Sequence, residues 1–137
     1  MKAMQTGGAH LLEQGRLILV IDDEATIREL LCEVLEMEGF VTLSMENADL
    51  ALDFLHRESD AVALILTDIN MPGDIDGADL ANISTRAWPL IPVVVMSGVE
   101  TLLSAGIGHA AWFVRKPFAI DEMVACVSNA LIALRPS

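Results

Sequence analysis

Four short apolar runs in this chain each stop at residues that can do chemistry. Leu17-Ile18-Leu19-Val20-Ile21 ends at Asp22-Asp23-Glu24, Val62 to Leu66 at Thr67-Asp68, and Val93-Val94-Val95-Met96 at Ser97-Gly98; a weaker segment, Trp112-Phe113-Val114, runs into Arg115-Lys116-Pro117. If the runs are parallel strands of one sheet, their carboxyl ends share the edge where open α/β sheets bind ligands. Carboxylates gathered at that edge repel one another, and a hard divalent cation with oxygen ligands removes the cost. Mg2+ suits this set of groups, because it keeps several waters and uses one or two carboxylates together with phosphate oxygens. Asp68 is then a candidate nucleophile toward phosphorus, able to hold a phosphoryl group as an acyl phosphate. Lys116 would neutralise phosphoryl charge, and Ser97 would hydrogen-bond a phosphoryl oxygen. Each group alone has a plainer reading: an acidic helix cap for Asp22-Asp23-Glu24, a turn start for Asp68 with Asn70, Pro72 and Gly73, an ordinary turn for Ser97-Gly98, a solvated loop for Lys116-Pro117. Their joint occurrence at four strand ends argues against coincidence.

Periodicity supplies the elements that must position these residues. Ile27, Leu30, Leu31, Val34 and Leu35 fall on one helical face, so a helix runs from about Ala25 to Glu38 and stops at Gly39. Val41, Leu43 and Met45 alternate with Thr42 and Ser44, the pattern of a half-exposed edge strand. Asn47 caps a short helix through about Arg57. The run Val62 to Leu66 is apolar throughout and so predicts a central strand covered on both faces. Gly73-Asp74-Ile75-Asp76-Gly77 is a loop by composition, Leu80, Ile83 and Trp88 mark a helix ending before Pro89, and Ile91 to Met96 is the next buried strand. A last helix opens with Asp121 and Glu122 and buries Met123, Val124, Val127, Leu131 and Leu134. Five strands alternating with helices predict an α/β fold: a doubly wound, five-stranded parallel sheet, with 2-1-3-4-5 the natural strand order. The switch point between strands one and three puts Asp22 and Asp23 beside Asp68.

Composition narrows the functions. A chain of 137 residues that is 53% hydrophobic fits one domain with a real core. Its formal charge of −12 argues against nucleic acid as a partner and favours basic protein surfaces and cations. The longest purely apolar stretch, Ala61 to Leu66, is far short of the roughly 20 residues that span a bilayer, so no membrane partner is expected. Residues 1–16 have no apolar signal core and read as a flexible leader ahead of a domain over 17–135. Cys32 and Cys126, without an export signal, point to a reducing cytoplasmic location and to buried structural thiols. His10, His56 and His109 have no ligand-like spacing. Asp74 and Asp76 before Gly77 resemble a calcium loop only faintly, lacking the preceding helix and the bidentate Glu.

Taken together, Val20-Ile21-Asp22-Asp23-Glu24, Thr67-Asp68-Ile69-Asn70-Met71-Pro72-Gly73 with Asp76-Gly77, Met96-Ser97-Gly98 and Arg115-Lys116-Pro117-Phe118 resemble the response-regulator receiver domains of two-component signalling over about Arg16 to Leu134. That resemblance implies a flavodoxin-like, CheY-like fold. It implies that Asp68 accepts a phosphoryl group from a histidine kinase's phosphohistidine, directly or through a phosphotransfer protein. It also implies that Asp23, Asp68 and the backbone carbonyl of Asn70 coordinate Mg2+, with Asp22 helping through water. By the same resemblance Ser97 is the switch hydroxyl, Lys116 the lysine that meets the phosphoryl group, Phe113 the aromatic switch residue, and Lys116-Pro117 a cis peptide bond. Such a chain is not an enzyme beyond Mg2+-dependent self-phosphorylation and autodephosphorylation. It acts through a downstream protein partner, with homodimerisation left open.

The interval from Ser97 to Lys116 is about three residues shorter than family resemblance leads one to expect, so the fourth helix, between strands four and five, should be shortened or irregular, with Glu100 to Ala105 forming at most a turn or two. The chain has no tyrosine, and the loop Pro72 to Gly77 looks one residue longer than common. Other readings stand beside the first: a receiver-like binding module that is never phosphorylated, and a receiver cut from a hybrid kinase or a longer regulator. An enzyme with an aspartyl-phosphate intermediate would need a substrate cap, and no segment is long enough for one.

Overall fold

The computed structural model describes residues 17–98, 106–108 and 111–133. The expected leader, the turn at Glu100 to Ala105, His10, His109 and Leu134 lie outside the described residues. Five strands, β1 (Leu17–Ile21), β2 (Val41–Met45), β3 (Val62–Asp68), β4 (Val93–Ser97) and β5 (Trp112–Arg115), form one sheet in the order β2-β1-β3-β4-β5. All four pairings are parallel. Four helices accompany it among the described residues: α1 (Ala25–Met37), α2 (Ala48–Glu58), α3 (Gly77–Ala87) and α4 (Ile120–Ala133). The expected α/β class and strand order are therefore correct.

The strand alternation divides the core in two. On β1, Leu17, Leu19 and Ile21 join Ala51, Leu55, Leu80 and Ala81 from α2 and α3 on one face. Ile18 and Val20 join Leu31 and Leu35 of α1 and Met123, Val127 and Ala130 of α4 on the other. A strand buried on both faces needs apolar residues at every position, which is why β1 and β4 read as unbroken runs. Each such Leu, Ile or Val contributes about 1.5–3 kcal/mol by leaving water. β2, at the sheet edge, keeps Ser44 exposed.

Local signals end the elements near the expected places. Gly39, at φ +94°, turns the chain out of α1, where its N–H and that of Phe40 donate to the carbonyls of Glu36 and Leu35. The Asn47 side chain accepts from the Leu50 amide and opens α2. Asp76 and Asp79 accept from each other's backbone N–H in a capping box that opens α3. Three boundaries differ from the sequence reading: β3 continues through Thr67 and Asp68, Gly77 is the first helical residue of α3 instead of a loop residue, and β4 runs Val93–Ser97 where Ile91 to Met96 is the expected strand. Backbone pairing of Asp68 with β4 explains the first, and the capping box the second.

Within α3, Ser84 is fully buried and its hydroxyl has no hydrogen-bond partner. Ser84→Ala removes a desolvated polar atom and improves helix propensity, so it is expected to raise unfolding stability by about 1 kcal/mol, measured by urea denaturation.

Candidate functional site

The parallel sheet delivers Asp22 from the end of β1, Asp68 from the end of β3, Ser97 from the end of β4 and Lys116 just past β5. Asp22 is completely buried, Asp68 is half-buried and Asp23 is exposed. One carboxylate oxygen from each of the three lies within 4.8 Å of the others. This all-oxygen, all-anionic donor set fits a hard divalent cation and can hold one at the mouth of the sheet. Lys116 Nζ bridges two of the acids, 3.5 Å from Asp22 Oδ2 and 3.5 Å from Asp68 Oδ1. The lysine is itself seated by its backbone N–H, which donates to the Ser97 carbonyl at 2.8 Å. The Lys116-Pro117 peptide bond is cis.

Neighbouring contacts hold the acids in place. The Glu24 amide donates to Asp22 Oδ1 at 2.9 Å, and the Thr67 hydroxyl donates to the Asp68 carbonyl at 2.9 Å. Gly77 packs its Cα directly on the Asp68 main chain, and its N–H donates to Ile69 O at 2.8 Å. Asn70 is exposed two residues beyond Asp68, and Ser97 is buried at the end of β4. Phe113 is half-buried in β5, on the sheet face opposite Trp112 and Val114 by strand alternation. The structure thus brings Asp22, Asp23, Asp68 and Lys116 into one cluster, with Ser97 reached through the backbone of Lys116. Among the described residues, Phe113 is in neither hydrophobic cluster.

Three supporting residues escaped the sequence reading. Arg28 donates from Nη1 to the Asp22 carbonyl at 2.7 Å. Asp49, in the first turn of α2, accepts from the Asp74 amide at 3.1 Å and so holds the loop that follows Asp68. The Asn82 side-chain amide donates to Gly106 O at 2.8 Å and accepts from Gly108 N at 3.2 Å, fixing the approach to β5 beside buried Ile107. An arginine within the first turns of a helix, where the dipole disfavours a cation, was the one local hint of the first. Cys32 and Cys126 pack on the core but are half-buried, short of the full burial expected; burial raises the Cys126 thiol pKa. His56 is exposed, its ring edge-on to Trp88 at 5.3 Å.

The Asp68 carboxyl titrates above its ordinary value, first because burial penalises its charge and further because Asp22 adds a second negative charge; Lys116 opposes both. A carboxyl with a raised folded-state pKa favours folding while it is protonated. That advantage disappears as pH rises through the folded pKa, so at neutral pH its charge weakens the metal-free fold. Asp68→Asn is therefore expected to melt at a higher temperature than the unaltered protein in EDTA at pH 7. Added Mg2+ should raise the unaltered protein's melting temperature more than the variant's.

The chain has counterparts among known proteins. The response regulator receiver domain family matches residues 18–128. The nitrogen assimilation regulatory protein NtrX of Azorhizobium caulinodans is 37% identical over 123 residues, covering 86% of this chain and 26% of that protein. The DNA-binding transcriptional regulator NtrC of Escherichia coli is 34% identical over 121 residues, covering 86% of this chain and 25% of that protein. The chain thus spans about a quarter of the length of the curated relatives it matches. The crystal structure of the receiver domain of NtrX from Brucella abortus superposes with a TM-score of 0.74 at 34% identity, covering 84% of this chain and 98% of that one. With an acidic cluster and lysine at the strand ends of a 2-1-3-4-5 sheet and a family match across most of its length, this chain belongs to the response regulator receiver domains of two-component systems.

Proposed function

We propose that the chain takes a phosphoryl group from the phosphohistidine of a histidine kinase, or of a phosphotransfer protein, onto Asp68, and that this modification changes its protein contacts. The observation that supports it most is Lys116 Nζ lying 3.5 Å from both Asp22 and Asp68 beside a third carboxylate. In the transfer, a bond forms between an Asp68 carboxylate oxygen and phosphorus while the phosphorus–nitrogen bond of the donor breaks. Lys116, already at the acceptor, is placed to meet the incoming phosphoryl oxygens as a point charge. Asp23, Asp68 and the Asn70 carbonyl, helped by Asp22, would hold Mg2+, which would supply positive charge against the phosphoryl oxygens. No external substrate is turned over: the chemistry is self-phosphorylation and the later loss of phosphate to water.

Phosphorylation adds about −1.5 to −2 charge beside residues that already repel. The proposed response is that Ser97 hydrogen-bonds the phosphoryl group and Phe113 repacks. To go from 1% to 99% active requires about 5.5 kcal/mol of differential stabilisation, so a partial shift completed by the partner is the natural design. The partners are proposed to be proteins, in keeping with a charge of −12; DNA binding is named for a much longer relative. No helix among the described residues is long and apolar enough to cross a membrane. A cytoplasmic location is proposed, supported by two unpaired cysteines.

The test is a pull-down comparing the unmodified chain with its beryllofluoride form, which mimics the phosphoryl group. A protein retained only by the beryllofluoride form supports the switch, and identical sets on both forms sink it. Sizing chromatography of the two forms shows whether the modified chain pairs with itself.

A further inference from the structure

Asp22 has every polar group engaged. Its N–H donates to Met45 O at 3.2 Å, extending the β1–β2 pairing by one step. Its carboxylate accepts from the Glu24 amide and lies against Lys116. Its carbonyl accepts the guanidinium of Arg28 at 2.7 Å, the shortest of these contacts. Arg28 belongs to α1, and its half-buried side chain folds back over that helix's N-terminal end. A cation there is opposed by the helix dipole, and the hydrogen bond to the Asp22 carbonyl offsets that cost.

The consequence falls on the turn between β1 and α1. Asp23 and Glu24 are the only residues between Asp22 and the first residue of α1, and the Arg28 bond closes a loop over both. Asp23 is exposed, so its own surroundings do little to fix it. Its carboxylate nevertheless stays within reach of those of Asp22 and Asp68. We propose that Arg28 is a positioning residue for the divalent cation: by anchoring the Asp22 carbonyl it holds the turn that presents Asp23 to the cluster. The inference rests on the metal reading of the three carboxylates given above. Arg28 also carries a positive charge that would by itself oppose a cation. At a half-exposed position that repulsion is screened by solvent and salt, whereas loss of the anchor frees a ligand directly.

The test uses the full chain without any phosphate donor, following backbone amide NMR shifts of Asp23 and Asp68 as Mg2+ is added. Arg28→Ala is expected to weaken Mg2+ binding by about tenfold, the usual size for loss of a group that orients a ligand. Arg28→Lys, which keeps a donor and the charge, should recover part of the loss. Arg28→Gln, which keeps a donor without the charge, should fall between Ala and the unaltered protein. Equal or tighter binding by the Ala variant overturns the proposal, as does a lower melting temperature with an unchanged Mg2+ dissociation constant. Should the unaltered protein bind no Mg2+, the metal reading falls and this inference with it; should it bind while Arg28→Ala binds equally, only the inference falls.

Discussion

Incubated with a small acyl phosphate and Mg2+, the unaltered protein is expected to become labelled and Asp68→Asn to remain at background. The carboxylate attacks phosphorus through an oxygen that carries negative charge; the amide has neither that charge nor a comparably nucleophilic oxygen. The substitution preserves shape and leaves the amide oxygen available to Lys116 Nζ, now 3.5 Å from the carboxylate. Burial and Asp22 make the Asp68 charge a cost to the metal-free fold, so the variant is expected to melt higher in EDTA, and its melting curve in Mg2+ checks that it is folded under the labelling conditions. Label on the unaltered protein should be released by hydroxylamine, as an acyl phosphate is and a phosphoserine is not. Asp22 and Asp23 stand in the same cluster and serve as internal competitors. Equal labelling of both proteins would remove Asp68 from the acceptor role.

The parts of this site that were legible in the sequence are those written in strand chemistry. β1 and β4 are covered on both faces, so their apolar runs are unbroken and their ends stand out as the first polar residues. Asp22 and Ser97 are therefore visible as interruptions, although both are buried and depend on the fold for partners. Asp68 is a subtler case, since it still pairs with Met96 and is strand by geometry while reading as the start of a turn. What could not be read was the support brought by distant segments. Asp49 meets Asp74 across 25 positions, and Asn82 meets Gly106 and Gly108 across 24 and 26. No local periodicity encodes such contacts, because each depends on where two helices stand over the sheet. Arg28 differs: its partner is six residues away, and its misfit with the helix dipole was a signal open to being read.

Gly77→Ala is expected to destabilise the protein by about 3 kcal/mol or more and to remove phosphate uptake from whatever fraction stays folded. Propensity alone predicts the opposite, since alanine is better than glycine in a helix by about 0.8–1.0 kcal/mol, and Gly77 opens α3 without a positive φ. Sterics decide the sign. A Cβ on Gly77 would overlap the carbonyl oxygen of Asp68 and come within 2.9 Å of Ile69 Cα, and these are backbone atoms at and just past the end of a central strand that no side-chain rotation can move aside. Either α3 lifts from the end of β3, breaking the 2.8 Å bond from Gly77 N–H to Ile69 O and the capping box beside it, or Asp68 and the Asn70 carbonyl are displaced together. Both outcomes damage the acceptor. Gly108→Ala is the control: with nothing among the described residues within 4 Å of its Cβ and no positive φ, it should change stability by no more than about 0.5 kcal/mol. Urea denaturation of the two variants, with labelling measured on the folded fraction, separates a glycine required by close approach from one that is merely present. A Gly77→Ala protein as stable and as readily labelled as the original would show that β3 and α3 can separate without disturbing Asp68.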